Sequence, residues 1–370
     1  MGVRDLGHRL YSGEVSYDFV GRRRVWYVIS GVILVLVIAS LLLRGLNFGI
    51  EFTGGSDFQF PANECTVEDA RQIMDGAVEG QSIVTQVGDD QIRVTTIALT
   101  PAESEEVTAA LAEGCGVAQE DIRIQLVGPT WGDDISQKAL QGLIVFLFLV
   151  TLFLVVYFEW RMAVAALVAL VHDLLITIGV YSLLGFEVTP ATLIGVLTIL
   201  GYSLYDTVVV FDKVKENTRG VASQSRVTYS QAANLAVNQT LVRSINTSVV
   251  ALLPVAAILF VGAGILGAGT LKDLALALFV GIAAGTYSSI FVATPLLAQL
   301  KEREPAMRAV AKRVEARGTA TAPTSDASTP ATVGGGVATV TAEDLPSVNV
   351  VSTGDRVQPR KQSRSRRKGK

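Results

Sequence analysis

The chain has 370 residues, half of them hydrophobic, and a formal net charge of −3. Its apolar residues come in long blocks, which excludes an ordinary soluble domain and points to a polytopic membrane protein. The small net charge hides an asymmetry: acidic residues gather in 51–134 and basic ones toward the two ends.

Residues 1–24 are polar and end in Arg22-Arg23-Arg24, directly before the apolar block Val25–Leu43. Basic residues flanking a span stay in the cytoplasm, so the N-terminus is expected inside and the region after the first span (25–44) outside. Charged residues follow that block where a signal peptide would carry small residues, so it reads as a retained helix.

Residues 45–138 form a sizeable polar region between spans. The pattern predicts a first strand within Gly49–Phe60, a helix at about Val67–Val78, and strands Ser82–Val87 and Gln91–Ile97 around a Gly88-Asp89-Asp90 turn. A second helix at about Ala102–Gly114, with Pro101 in its first turn, and a strand at Asp121–Val127 complete the set. That order is βαββαβ, a ferredoxin-like α+β arrangement, and about 90 residues suffice for one small domain. The two cysteines, Cys65 and Cys115, lie before the first helix and after the second. Antiparallel helices on one sheet face bring those ends together. In an oxidising compartment this favours a disulfide; two unpaired small residues are the alternative.

Residues 139–300 carry five more spans. They are expected at about Ala139–Phe158, Met162–Leu184, Ala191–Phe211, Ile245–Gly264 with a kink at Pro254, and Leu274–Leu297. The 212–244 loop is polar, and its Gln231–Leu241 part reads as an amphipathic helix lying along the membrane. Gly262–Gly269 reads as a short outside turn. Six spans put both termini inside. Residues 301–370 show no sustained apolar period, and small and polar residues dominate 318–345, so disorder is expected. The last sixteen residues hold eight Lys or Arg and one Asp. Such a tail either attracts anionic lipid or the phosphate of a ribosome, or is a solvated tail that enforces topology.

The fourth span organises the rest. Thr189 and Pro190 suit its start, Thr as a cap and Pro in the first turn. Inside it sits Asp206, about 7 Å past the middle of the apolar run at 1.5 Å per residue. A carboxylate in hydrocarbon costs several kcal/mol unless paired, wetted or protonated, so it is a candidate functional site. Span 3 carries His172-Asp173 near its middle, and Arg243 stands at the entrance to span 5 with Asn246, Thr247 and Ser248. Arg243 is expected to reach Asp206. A carboxylate that pairs with a guanidinium in one state and takes a proton in another is the chemistry of a proton-coupled machine. A permanent Asp206–Arg243 strut is the bland alternative, and His172 as a simple interhelical hydrogen-bonding group is another. Tyr205-Asp206 and Asp173 invite comparison with intramembrane aspartyl proteases, but those carry Gly-x-Gly before the second Asp, where this chain has Val171-His172. Hydrolase, phosphate-loop and metal motifs are lacking, so an enzyme is not expected.

These residues carry a resemblance. FGIEFTGGS at Phe48–Ser56 resembles the glycine-pair signature of the SecD/SecF family. VHD in span 3, GYSLYDTVVVFDKVKEN at Gly201–Asn217 and RSINTS at Arg243–Ser248 are similar to its SecF branch, in order across about residues 18–300. The resemblance implies a subunit of the Sec export machinery in the bacterial plasma membrane, related to the resistance–nodulation–division superfamily. Such a subunit pairs with SecD and uses the proton-motive force to help complete polypeptide export through SecYEG. It also implies that Asp206 and Arg243 match the family's functionally important Asp and Arg; a relay role for Asp173 and His172 is inferred from their position. No cofactor is expected beyond a coupling ion, H⁺ or Na⁺. The expected contacts are SecD, SecYEG, the translocating polypeptide and the lipid bilayer. Gly54 and Gly55 either allow a tight backbone approach or touch the substrate directly. The competing functions are half of a proton-driven small-molecule transporter and an uncoupled assembly subunit.

Overall fold

The computed structural model describes residues 16–320 apart from 63, 64, 79, 81, 88–90, 225 and 264–268. The expected Gly88-Asp89-Asp90 turn, most of the Gly262–Gly269 turn and residues 321–370 of the tail lie outside the described residues. Among the described residues, six helices are long and apolar enough to cross a membrane. Span 1 is α1 (Arg23–Arg44); span 2 is α5 (Pro129–Tyr157); span 3 is α6 (Trp160–Leu184); span 4 is α7 (Pro190–Asn217). Span 5 is α8 (Tyr229–Ala257), continued by a π-helical turn at Ile258–Ala263. Span 6 is α9 (Gly269–Ser288), a π-helical turn at Ser289–Ala293, and α10 (Thr294–Glu302).

Between spans 1 and 2 lies the α/β domain. It begins with β1 (Asn47–Phe48) and the single turn α2 (Ile50–Thr53), followed by β2 (Gly55–Pro61) and α3 (Val67–Ala77). The hairpin strands β3 (Ile83–Val87) and β4 (Gln91–Thr96), then α4 (Pro101–Cys115) and β5 (Arg123–Val127), complete it. The sheet order is β3-β4-β2-β5 with antiparallel pairing throughout, which is the ferredoxin-like order for βαββαβ. One sheet face buries Phe58, Phe60, Ile92 and Val94 against Met74 of α3 and Val107 and Leu111 of α4. Both helices start with a capping box, Thr66 with Asp69 and Thr100 with Glu103. The antiparallel helices bring Cys65 and Cys115 to a Cα separation of 4.9 Å, joined as a disulfide across 50 residues.

The first strand of the sheet, β2, falls within the expected Gly49–Phe60 stretch apart from Pro61, and a break separates it from α2, which fills the start of that stretch. The glycine pair makes that break. Gly54 has φ 73° and Gly55 φ 152°, and a Cβ on Gly55 would lie 2.7 Å from the Thr96 carbonyl. Gly132 of span 2 lies close under α2, since a Cβ there would meet the Phe52 carbonyl at 2.5 Å. The domain is tied to the helices again where β1 pairs in parallel with β6 (Glu187–Val188) in the turn between spans 3 and 4. Arg93 of β4 joins Asp57 of β2 and Glu187 of that turn, each at 2.7 Å. Burial opposes the charge on Arg93, but the two carboxylates outweigh it and its pKa is raised.

Three further boundaries correct the sequence reading. Span 2 starts at Pro129, ten residues before Ala139, because its polar first turns pack beneath α2. Gln231–Leu241 does not lie along the membrane. It forms the first turns of span 5, with Ala232, Ala236 and Val237 fully buried. Asn234 and Asn238, one turn apart, clasp the backbone of Tyr17–Val20 through their amides. Within the stretch 301–370 expected to be disordered, Pro305–Ala320 is a helix, α11. Met307, Val310 and Val314 make a narrow apolar stripe on it, and that stripe covers Val221, Val227 and Ala232.

Span 6 is the most enclosed helix of the bundle, and spans 2 and 5 are the least. Close approach of spans 4 and 6 explains this. Ala277, Gly281 and Gly285, at four-residue spacing on span 6, face Gly195, Ile199 and Ser203 on span 4. Small residues at that spacing let two membrane helices approach at backbone distance.

Candidate functional site

Asp206 and Asp173 are both inside the bundle, 3% and 0% exposed. Span 4 is held in register by the Thr189–Thr192 capping box at one end and by the glycine contact with span 6 along its length. Asp206 thereby faces spans 5 and 6. Ser244 of span 5 donates to its Oδ1, and Ser289 of span 6 donates to its Oδ2. Among the described residues it makes no ion pair. The expected Asp206–Arg243 pair is therefore not formed. Arg243 is on the outer face of span 5, where its guanidinium reaches the Tyr205 hydroxyl at 3.3 Å. Adjacent residues on an α-helix point about 100° apart. That is why Ser244 turns inward and Arg243 outward.

Asp173 forms a second centre. Its Oδ2 accepts from Ser203 of span 4 at 2.5 Å and Ser288 of span 6 at 2.7 Å. Its Oδ1 lies 3.1 Å from His172 Nδ1. His172 is buried, its ring stacks near Tyr287, and its Nε2 is without a partner among the described residues. Tyr287 in turn meets Ser30 of span 1 at 3.0 Å.

Each carboxyl group is thus held by hydroxyls from two neighbouring spans. A hydroxyl donates to a carboxylate and accepts from a carboxylic acid, so the same contacts satisfy either protonation state. A fixed strut to a cation would satisfy only one. The glycine pair is remote from both carboxylates: Gly54 and Gly55 stand at the base of the α/β domain, where they shape the break between α2 and β2. Among the described residues no cluster of three or more His, Cys, Asp or Glu is placed to hold a metal ion. Sequence reasoning missed Ser203, Ser244, Ser288 and Ser289. A signal existed for the last two, since adjacent serines interrupt the apolar run of span 6.

The architecture defines a class: a multi-pass membrane protein with a small ferredoxin-like domain between its first two spans and buried carboxyl groups in its third and fourth. Comparison with known proteins is consistent with that. The family described as "Protein export membrane protein SecD/SecF, C-terminal" matches residues 107–303, and the "SecD/SecF GG Motif" matches residues 39–63. The chain is 54% identical to "Protein translocase subunit SecF" of Streptomyces coelicolor, over 84% of this chain and 84% of that one. It is 44% identical to the protein of the same name in Mycobacterium tuberculosis, over 96% of this chain and 84% of that one. The crystal structure of SecDF, "a translocon-associated membrane protein" from Thermus thermophilus, superposes with a TM-score of 0.70 at 32% identity. That match covers 79% of this chain and 39% of the SecDF chain. The chain belongs to the SecD/SecF family.

Proposed function

We propose that this chain is the SecF-type half of a proton-driven auxiliary unit of the Sec translocase. In this reading it pairs with a SecD-type half, and protonation of Asp206 drives a rearrangement that helps complete polypeptide export through a SecYEG-type channel. The observation that carries the reading is the burial of Asp206 in span 4 among hydroxyls, in no ion pair among the described residues and satisfied in either charge state. Asp173 and His172 supply a second protonatable centre beside it. The coupling ion is then H⁺, because hydroxyls and carboxyls that exchange donor and acceptor roles suit a proton.

The need for a partner follows from Arg243. An arginine on the outward face of a span costs several kcal/mol against hydrocarbon. With the exposed Tyr205 and Asn246 it makes a polar strip where spans 4 and 5 meet. A second half covering that strip removes the cost and puts Arg243 at the seam, one residue from Ser244. The match covers 39% of the SecDF chain, which supports a second, SecD-type half as the partner. The basic flanks 22–24 and 355–370 favour cytoplasmic termini and an exported α/β domain in a bacterial plasma membrane. The tail then meets anionic lipid or the ribosome, and the α/β domain meets the emerging chain.

Asp206→Asn in intact membranes tests the reading, scored for late-stage export while protein level and SecD co-purification are followed. Asn keeps size and hydrogen bonding and removes titration. Export is expected to fall severalfold with the complex intact. Normal export would assign Asp206 to a fixed structural role.

A further inference from the structure

Span 6 reaches both carboxyl groups through two consecutive residues. Ser288 Oγ is 2.7 Å from Asp173 Oδ2, and Ser289 Oγ donates to Asp206 Oδ2. Both serines are fully buried. Each has a second acceptor within reach on its own helix: Gly285 O at 3.3 Å for Ser288 and Thr286 O at 3.2 Å for Ser289. They stand where α-helix gives way to the π-helical turn Ser289–Ala293. A π turn widens the helix and disturbs its hydrogen-bond ladder, and such turns concentrate at functional sites. Here Thr294 Oγ1 donates to the Ser289 carbonyl at 3.1 Å, five residues back, and so supports the widened turn.

We propose that Ser288 and Ser289 are positioning residues that couple the protonation of Asp173 and Asp206 to the conformation of span 6 at its π turn. With a carboxyl group ionised, its serine donates to it. When the carboxyl takes a proton, the acid donates to the serine oxygen, and the serine turns its own hydrogen to the Gly285 or Thr286 carbonyl. One proton is gained at the carboxyl, and none is gained or lost at the serine. The acceptor inside span 6 changes in the same step, so a charge change in span 3 or span 4 is felt by one helix. Gly285 keeps that helix against span 4, since a Cβ there would lie 2.8 Å from Ser203 Cβ. The inference rests on the proton-coupled reading of Asp206 and goes beyond it by giving span 6 the part of the responding element.

Titratable or charged groups on the packed elements include Tyr27 on span 1, Asp173, His172 and Tyr181 on span 3, Tyr202, Tyr205 and Asp206 on span 4, Arg243 on span 5 and Asp273 and Tyr287 on span 6. Asp212, at the end of span 4, engages Tyr157 of span 2. Of these, only Asp173 and Asp206 accept from the serine pair.

The test is an infrared titration of the full chain in lipid nanodiscs, following the carboxylic C=O bands assigned with Asp206→Asn and Asp173→Asn. Ser289→Ala is expected to move the midpoint of the Asp206 band by about one pH unit, roughly tenfold in proton affinity, and Ser289→Thr to restore it. The amide bands of span 6 should change with that midpoint in the parent and lose the change in Ser289→Ala. An unchanged midpoint, or a threonine variant no better than alanine, would overturn the proposal. Ser289→Cys, similar in volume and a poor donor, answers the same question if the alanine variant does not accumulate. Because this readout needs no export, normal export by Asp206→Asn would remove the functional reading and leave the serine switch to stand or fall on its own titration.

Discussion

At the scale of single residues, chemistry in this chain is decided by which side of a helix a polar atom occupies. Ser244 and Arg243 are neighbours in sequence, yet one meets Asp206 and the other meets Tyr205 at the surface. The presence of Asp206 in an apolar run was legible from the sequence, because a lone carboxylate in a span is unusual. Its actual partners were not, since serine occurs throughout membrane helices and only packing selects which ones turn inward. The expected arginine partner failed because similar depth does not fix direction. In the α/β domain the same scale gives a pH dependence. Hydrogen bonds from Thr66 and Thr100 hold the Asp69 and Glu103 carboxyls below the usual carboxylate range. A lowered folded-state pKa contributes stability that is present above the unfolded pKa of about 4 and is lost as pH falls through the folded value. The first turns of α3 and α4 should therefore lose protection from amide exchange as the full chain is taken from about pH 5 to below pH 4, after correction for intrinsic rates. Thr100→Ala, which removes the hydroxyl bond to Glu103 and keeps the stronger backbone one, should weaken that dependence at α4 and leave it at α3.

Among the elements, the contact between spans 4 and 6 places the carboxyl groups. Ile199 presents flexible side-chain atoms to Gly281, but Gly285 faces Ser203 Cβ and, at 3.2 Å, its Cα. A side chain at 285 has no room unless the helices part. Gly285→Val should cost about 1–3 kcal/mol through overpacking, read as a lower thermal midpoint of the purified chain, whereas Gly31→Val, where nothing lies within 4 Å, should be neutral. An equal effect at both positions would mean that the two spans are not held at backbone distance. Most elements of the α/β domain were legible, because alternation, turn residues and capping pairs there are local signals. The early start of span 2 and the continuity of Gln231–Leu241 with span 5 were not. Both stretches are polar, and both are helical because they pack on α2 and on the N-terminal segment. Helix α11 hid for a similar reason: its stripe of Met307, Val310 and Val314 is too narrow to register among so many charges.

Over the whole molecule, the α/β domain and the carboxyl centres are mechanically connected. The β1–β6 pairing and the Arg93–Glu187 bridge fasten the domain to the turn from which span 4 begins. The glycine contact carries that position to span 6, where Ser288 and Ser289 meet the two carboxyls. In the proposed proton-coupled reading, this continuous set of contacts is the route by which the domain and Asp206 would act on one another. The overall plan was legible in the sequence as six apolar blocks with one inserted βαββαβ region. The path between its parts was not, because it runs through residues as ordinary as Gly285 and Ser289. The most direct test is proton flux. The chain is reconstituted with its SecD-type partner in liposomes, a pH gradient is imposed, and uptake is followed with a trapped pH dye at matched protein content. Parent vesicles should take up protons and Asp206→Asn vesicles should not. Equal uptake by both would contradict a proton pathway through Asp206.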